Sequence, residues 1–329
     1  MRRNRVFLIG VVLMCMLCMT ACSSGRQSGV NNKKINVICT TFPLYDWTRQ
    51  MAGDNINVEL LLDKGVDMHS FQASATDIAK ITSCDVLIYV GGISDVWITD
   101  ALKNKNNPDM QVVNLMEDLK EYVKAEEYVE GMQSEHEEHE AHEEEGEEWD
   151  EHIWLSVKNA AVSCEFIKNA LCAANPEDSS LYEEGYKQYI KELKALDDEY
   201  ENVVSTAARK TLLFADRFPF RYLMDDYGIN YYAAFPGCSS ETNASFQTVT
   251  FLAEKLDAEK LPAVLVLENS ENGFSGELAQ TIISNSSSKD CKILKLNSMQ
   301  AVSSKELNDN ITYISIMRDN MNVFKEALN

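Results

Sequence analysis

The amino-acid sequence predicts an α/β protein with two lobes, each a parallel four-stranded sheet with flanking helices, joined by one long helix. Two patterns support this prediction. Short β-branched runs occur in two sets of four, and mostly helix-length segments separate the runs, as in parallel strands with crossovers. A long amphipathic stretch lies between the two sets. The chain has 329 residues, 45% of them hydrophobic, which is enough for two cores.

The start of the chain has the pattern of an export signal. Arginines in the first five positions precede an apolar run, Val6 to Met19, that is short for a membrane span. Small residues then lead to Cys22, which resembles a bacterial lipoprotein cleavage box. We therefore expect residues 1–22 to be a lipoprotein signal peptide with Cys22 as the lipidated residue, and residues 23–34 to be a polar tether. An ordinary signal peptide with an incidental cysteine is the alternative.

The two lobes are predicted over residues 35–175 and 209–329. Their expected strands are Ile35 to Thr41, Val58 to Leu62, Val86 to Val90 and Val112 to Leu115 in the first lobe, and Thr211 to Phe214, Asn230 to Phe235, Val264 to Leu267 and Ile293 to Leu296 in the second. A last helix from Tyr313 to Leu328 is expected to close the second lobe.

The linker helix between the lobes is predicted over residues 176–208. Apolar and tyrosine side chains recur there mostly at three- and four-residue steps, and no Gly or Pro follows Gly185. About thirty residues at 1.5 Å each span roughly 45 Å, which is enough to brace both lobes and limit their hinge motion.

Acidic charge is concentrated in one segment. The net charge of −22 argues against nucleic acid as a partner. Residues 126–151 hold about fourteen acidic residues, no Lys or Arg, and three of the five histidines, His136, His139 and His142. With so few apolar side chains this segment is expected to be a loop. Neutral imidazoles among carboxylates predict weak, auxiliary metal binding. A solvated acidic loop with incidental histidines is the alternative.

The other two histidines lie on predicted loops of the first lobe. His69 follows the second strand, and His152 precedes a helix that begins near Ser156. Ligands of α/β folds bind beyond the carboxyl ends of parallel strands. Either histidine alone is more often structural. Together, in an exported chain with a His-rich acidic segment, they predict a metal site.

Six cysteines remain beyond residue 22, without a C-x-x-C pair. Cys39 and Cys84 are expected to be small core residues. Cys238 and Cys291 are a possible disulfide pair in an exported protein, and the sequence leaves open whether they are bonded.

Four sequence motifs resemble one known family, the zinc and manganese solute-binding lipoproteins of ATP-driven importers. Thr40 to Trp47 is similar to its first strand end, and Tyr89 to Gly92 to a later one. Gly65 to Phe71 is similar to its G-x-D-x-H-S-[FY] segment, and Asp150 to Ser156 to its D-x-H-x-W-L-S segment. The resemblance covers essentially the whole mature chain. A charged His-rich insert is typical of zinc-directed members.

The resemblance implies an extracellular, lipid-anchored protein that captures Zn²⁺ between two lobes and delivers it to a membrane permease. His69 and His152 would be the first-lobe ligands. Mn²⁺ is the alternative cation, although it prefers more oxygen ligands, and a surface adhesin of the same family is an alternative role. We expect a monomer. We also expect that the protein is not an enzyme, because the sequence contains no H-E-x-x-H, G-x-S-x-G or Gly-rich phosphate motif.

The second lobe departs from the family pattern. The family's His or Glu position falls on Arg217, which cannot bind zinc as a guanidinium, and its late Asp falls near Asn297 or Ser298. The candidate replacements are Asp216, Glu241 and Glu268, and water could fill a vacancy. Pairing of Asp216 or Glu268 with Arg217 across a closed cleft, and a solvated Glu241, are the alternatives.

Overall fold

The protein contains two parallel four-stranded sheets. The computed structural model describes residues 34–63, 65–133, 148–239, 243–268 and 274–329. The first sheet has the strand order β2-β1-β3-β4 and the second β6-β5-β7-β8, and the registered neighbours are parallel. The strands are β1 Asn36–Cys39, β2 Asn57–Leu60, β3 Val86–Tyr89, β4 Gln111–Asn114, β5 Thr211–Phe218, β6 Asn230–Pro236, β7 Ala263–Leu267 and β8 Lys292–Leu296. The predicted fold class is confirmed; the clearest difference is that β5 continues beyond Phe214.

Helices cover the sheets and connect them. The α-helices of the described residues are α1 Phe42–Ala52, α2 Ala75–Ser83, α3 Val96–Leu102, α4 Leu115–Asp118, α5 Val157–Ala174, α6 Ser179–Thr206, α7 Arg221–Tyr227, α8 Phe246–Ala258, α9 Phe274–Asn285, α10 Ser304–Asn308 and α11 Tyr313–Ala327. Short 3-10 turns lie at Gly53–Asn55, Met68–Ser70, Ile153–Leu155 and Pro176–Asp178. None of the helices in this part of the chain is both long and apolar enough for a membrane crossing.

The linker helix α6 runs for 28 residues, or about 42 Å. Its buried side chains repeat at helical spacing and are Tyr182, Tyr189, Leu193, Leu196, Tyr200 and Val204. They belong to a hydrophobic core that extends from the first sheet along α6 to α11 and the inner face of the second sheet. A separate cluster fills the other face of the second sheet, under α8 and α9. Because one core is shared by both lobes, a large rotation between them would expose apolar surface.

The C-terminal helix α11 has a wider role than the predicted one of closing the second lobe. The Tyr313 backbone N–H at its start donates to Asp46 in α1 over 2.7 Å. The Tyr313 hydroxyl donates to the Trp154 carbonyl over 2.8 Å, and its ring packs edge-on against Trp47 with centroids 5.2 Å apart. Helix α11 therefore connects the second lobe to the first.

A second connection lies beside β6. Residues 124–133 of the first lobe run along the second: the Gln133 N–H donates to the Ala234 carbonyl over 2.9 Å, and the Tyr231 hydroxyl donates to Glu127 over 2.6 Å. The start of the predicted acidic loop thus packs against the other lobe. Its histidines, at positions 136, 139 and 142, lie outside the described residues.

Gly185 gives a test of the packing between the lobes and α6. A Cβ atom at this position would lie 2.0 Å from the carbonyl oxygen of Met51 at the end of α1. Alanine favours a helix over glycine by about 1 kcal/mol, whereas overpacking costs about 1–3 kcal/mol. We expect Gly185→Ala to lower the free energy of unfolding by a net amount of up to about 2 kcal/mol in urea denaturation, because the added Cβ would meet backbone atoms. The exposed neighbour Glu184 supplies the control, Glu184→Ala, which should change little. A more stable Gly185→Ala protein would contradict this packing.

Candidate metal centre

His69 is held by the loop that follows β2. Asp67 caps the 3-10 turn Met68–Ser70, and its Oδ1 accepts the His69 backbone N–H over 3.0 Å. The Nδ1 atom of His69 lies 2.9 Å from the Ser94 hydroxyl, and the Ser94 backbone N–H donates to Glu151 Oε1 over 2.9 Å. These contacts fix one ring nitrogen and leave the other, Nε2, facing the cleft between the lobes.

His152 is fully buried between the two lobes. Its Nδ1 lies 2.8 Å from Asp150 Oδ1, which also accepts the His152 backbone N–H over 2.9 Å. Second-lobe groups hold the flanking backbone: the Tyr222 hydroxyl donates to the Asp150 carbonyl over 2.8 Å, and Trp154 Nε1 donates to the Ser298 carbonyl over 2.9 Å. A carboxylate on Nδ1 directs the lone pair to Nε2, the arrangement common for metal-binding histidines.

The Nε2 atoms of His69 and His152 lie 3.3 Å apart. Two imidazole nitrogens, each 2.0–2.1 Å from one tetrahedral zinc, would be separated by about 3.3 Å. The structure therefore brings together two histidines that are 83 positions apart in sequence, at a spacing that suits one zinc ion.

The Gln300 side chain lies between the two imidazoles. Its Nε2 is 2.9 Å from His69 Nε2 and 2.7 Å from His152 Nε2. The amide NH₂ can donate one hydrogen to each ring when both imidazoles are neutral with their proton on Nδ1. Both lone pairs then point at one electropositive group, so a cation would take the place of this amide. The sequence reasoning missed Gln300, although it lies just two residues beyond Ser298, where the family's late ligand was sought.

A third donor comes from the turn after β6. One ligand atom each of His69, His152 and Cys238 lie within 4.8 Å of one another. Cys238 is exposed, and neither it nor Cys291 is in a disulfide. A Cβ atom on Gly237 would lie 2.9 Å from His152 Cε1, so the glycine allows the turn to approach the ring. The sequence analysis considered Cys238 only as a disulfide partner; its place directly after a strand end was the available signal.

Two of the predicted second-lobe residues, Asp216 and Glu268, are held in hydrogen bonds of their own. Asp216 accepts the Arg217 N–H over 2.8 Å on Oδ1 and the Leu267 N–H over 3.0 Å on Oδ2, which fastens β5 to the end of β7. Arg217 Nη2 donates to Asp67 Oδ2 across the cleft over 2.9 Å. Among the described residues, the side-chain partner of Arg217 is therefore the first-lobe carboxylate of Asp67, and not Asp216 or Glu268 as in the alternative considered from the sequence.

Glu268 lies three hydrogen bonds away from the histidines, through Ser298 and Gln300. Its carboxylate accepts the Ser298 N–H over 3.0 Å, and the Ser298 hydroxyl lies 3.0 Å from Gln300 Oε1. Burial raises the pKa of Glu268 to about 7. Asn297 Oδ1 accepts the Met299 N–H, so it serves the local turn. Glu241 lies outside the described residues.

The carboxylates of Asp150, Glu126 and Glu151 act on the His152 ring, and Asp95 lies close to Glu151. Burial and the charge of Asp150 raise the pKa of Glu126 to about 7, and burial and the charge of Glu151 raise the pKa of Asp95 to about 7. Glu151 Oε2 is buried, lies 4.0 Å from His69 Nδ1, and has no hydrogen-bond donor among the described residues. This excess of buried negative charge would be relieved by a divalent cation.

The surroundings shift the pKa values of the two imidazoles in opposite directions. Burial, followed by the proximity of His152, lowers the pKa of His69 to about 3. Burial also acts to lower the pKa of His152, but Asp150, Glu126 and Glu151 together raise it above its ordinary value. The His69 ring is therefore neutral over the whole physiological range, which is the state that metal binding requires.

Residues 37–327 match the family model described as "ZnuA: Zinc-uptake complex component A periplasmic". The chain belongs to this family, which is one of solute-binding transport proteins and not of enzymes. It is 29% identical over 314 residues to the zinc-binding lipoprotein AdcA of Streptococcus pneumoniae, covering 95% of this chain and 59% of AdcA, so it spans little more than half of that relative. It is 28% identical over 322 residues to the high-affinity zinc uptake system protein ZnuA of Bacillus subtilis, covering 97% of this chain and 96% of that protein.

Solved structures show the same fold. The Zn(II)-bound ZnuA-like domain of Streptococcus pneumoniae AdcA has a TM-score of 0.69 and 26% identity, covering 90% of this chain and 99% of that one. The metal-dependent lipoprotein YcdH of Bacillus subtilis has a TM-score of 0.71 and 24% identity, covering 90% and 99%, and this likeness concerns the fold alone.

The low pKa of His69 can be tested in the metal-free protein. We expect its ring to stay neutral from pH 7 to pH 5 in an NMR titration, assigned by comparison with His69→Gln. Because the unfolded chain would take up this proton near pH 6.5 and the folded chain would not, His69 lowers stability as the pH falls below about 6.5. A midpoint for His69 near 6.5 would show that burial and His152 do not act on it as described.

Proposed function

We propose that this protein is the extracellular zinc-binding component of an ATP-driven importer, which captures Zn²⁺ between its lobes and delivers it to a membrane permease. The observation that supports this most is the 3.3 Å separation of the His69 and His152 Nε2 atoms, with both lone pairs facing one point. Membership of the zinc-uptake family supplies the context.

The surroundings of the two histidines favour zinc. Zinc is commonly held by three protein ligands with a fourth position open, and imidazole nitrogen is one of its preferred donors. Asp150 and Ser94 orient the two rings through Nδ1, which strengthens such ligands. The buried carboxylates nearby favour a cation in the same cleft.

Capture requires a small rearrangement at the mouth of the site. The Gln300 amide must leave the two Nε2 atoms or turn its oxygen toward the incoming ion. The other end of the Gln300 amide, Oε1, is held by the Ser298 hydroxyl. Ser298 and Gln300 both belong to the segment after β8 in the second lobe. The two histidines belong to the first lobe, so separating the lobes would withdraw second-lobe groups from the ion and leave it on half of a site. Release to a permease would follow this route.

The attachment to the cell and the auxiliary loop are further parts of the proposal. Cys22 would carry the lipid and hold a monomer at the outer face of the cell membrane, as the name of the relative AdcA, a lipoprotein, suggests. His136, His139 and His142 would add weak sites. Both sets of residues lie outside the described part of the chain, and the tight site needs neither.

A metal titration of purified, metal-free protein tests this function. We expect one tightly bound zinc per chain, and a loss of affinity of more than about 100-fold in the His69→Ala/His152→Ala variant, since losing just a hydrogen-bond partner of a ligand costs 10–100-fold. The matched control is His136→Ala/His139→Ala, which should keep the tight site.

Two results would count against the proposal. Retention of one firmly bound zinc by the double variant at positions 69 and 152 would place the site elsewhere. Tighter binding of Mn²⁺ than of Zn²⁺ in the same titration would instead favour the manganese importer, because Mn²⁺ prefers an oxygen-rich shell.

A further inference from the structure

We infer that the Cys238 thiolate is the second-lobe ligand of the zinc ion, so that the site is formed by two imidazoles and one sulfur. This inference rests on the proposed function. It departs from the expectation of a carboxylate from Asp216, Glu241 or Glu268. It also explains how a chain with Arg217 at the expected ligand position can still bind the ion from both lobes.

The distances leave little movement to complete such a site. The ligand atoms of His69, His152 and Cys238 all lie within 4.8 Å of one another. With Zn–S near 2.3 Å and Zn–N of 2.0–2.1 Å, a tetrahedral ion separates sulfur from nitrogen by about 3.6 Å. The thiol would therefore need to approach the imidazoles by no more than about 1.2 Å.

The turn that carries Cys238 is positioned by the first lobe. The Gly237 N–H, next to the cysteine, donates to Glu126 Oε1 over 2.9 Å. Gly237 itself lies against the His152 ring, where a Cβ atom would come within 2.9 Å of Cε1. The thiol is thus held beside the buried histidine by one hydrogen bond and one close contact, both independent of the sulfur.

The two candidate carboxylates that the structure describes in the second lobe, Asp216 and Glu268, are engaged elsewhere. Both oxygens of Asp216 accept backbone N–H groups of β5 and β7, and Glu268 accepts the Ser298 N–H. Freeing either carboxylate would break hydrogen bonds that hold strand ends. Movement of Cys238 would break no bond between strand ends, because its sulfur interacts with the Glu151 backbone of the first lobe. The group between the histidines is the Gln300 amide, which the ion itself would replace.

Coordination by Cys238 has two chemical consequences. The thiol gives up its proton to solvent as the Zn–S bond forms, so binding releases one proton from this residue. A thiolate is also a soft ligand, which suits zinc and disfavours manganese. Cys238 would therefore contribute to the choice of metal and make the second lobe a direct part of the site.

Cobalt(II) substitution tests this ligand, because a thiolate bound to Co²⁺ gives an intense near-ultraviolet charge-transfer band that nitrogen and oxygen ligands lack. We expect the band at one Co²⁺ per wild-type chain and in the control Cys291→Ser, a second-lobe cysteine outside the group. Cys238→Ser should lose the band and bind zinc at least about tenfold more weakly. Cys238→Ala serves as a second variant, and thermal unfolding checks that each protein is folded.

The outcomes separate the ligand from the function. One Co²⁺ bound without the band, or a band that survives in Cys238→Ser, would overturn the role of Cys238 and leave the zinc-binding function standing. A wild-type chain that binds neither Co²⁺ nor Zn²⁺ would overturn both. The wild-type spectrum alone decides whether any thiolate binds, so poor folding of a variant does not remove the test.

Discussion

The structure depends above all on the fixed position of the His152 ring between the lobes. The ring is fully buried, and Asp150 holds both its Nδ1 atom and its backbone N–H. Tyr222 and Tyr313 donate to backbone carbonyls on either side of it, and Trp154 donates into the second lobe. A histidine with this many partners has little freedom to rotate, so its Nε2 atom keeps a fixed direction toward His69 and Gln300.

The negative charge near the two imidazoles also favours a cation at this place. Asp150, Glu126 and Glu151 lie close enough to act on the His152 ring. Burial raises the pKa values of Glu126 and of Asp95, so the folded protein disfavours the ionised form of these two carboxyls. Arg217 forms an ion pair with Asp67 and so offsets that one negative charge. A divalent ion at the two Nε2 atoms would lower the energy of the remaining negative charge. The buried negative charge that destabilises the metal-free protein would therefore stabilise the metal-bound protein.

The fold could be predicted from the sequence because its signals are local. Each strand is a short β-branched run, and the linker helix has a three- and four-residue period, so neither prediction needs knowledge of distant contacts. His69 and His152 could be singled out for a different reason: so few histidines are present that two on strand-end loops stand out.

The second-lobe side of the site could not be predicted in this way. Cys238 lies near the histidines because the Gly237 N–H donates to Glu126 and so brings the turn to the first lobe. Gln300 contacts the histidines from the segment after β8. These contacts join residues more than a hundred positions apart, and no spacing in the sequence encodes them. The partner of Arg217 was missed for the same reason, since Asp67 lies 150 positions away.

We propose that one ion binds between the lobes at the two imidazole Nε2 atoms. The decisive experiment is a crystal of the zinc-loaded protein, measured on both sides of the zinc absorption edge. We expect one strong anomalous peak within bonding distance of both Nε2 atoms, with the Gln300 amide displaced. A strong peak elsewhere, with Gln300 still between the rings, would contradict it.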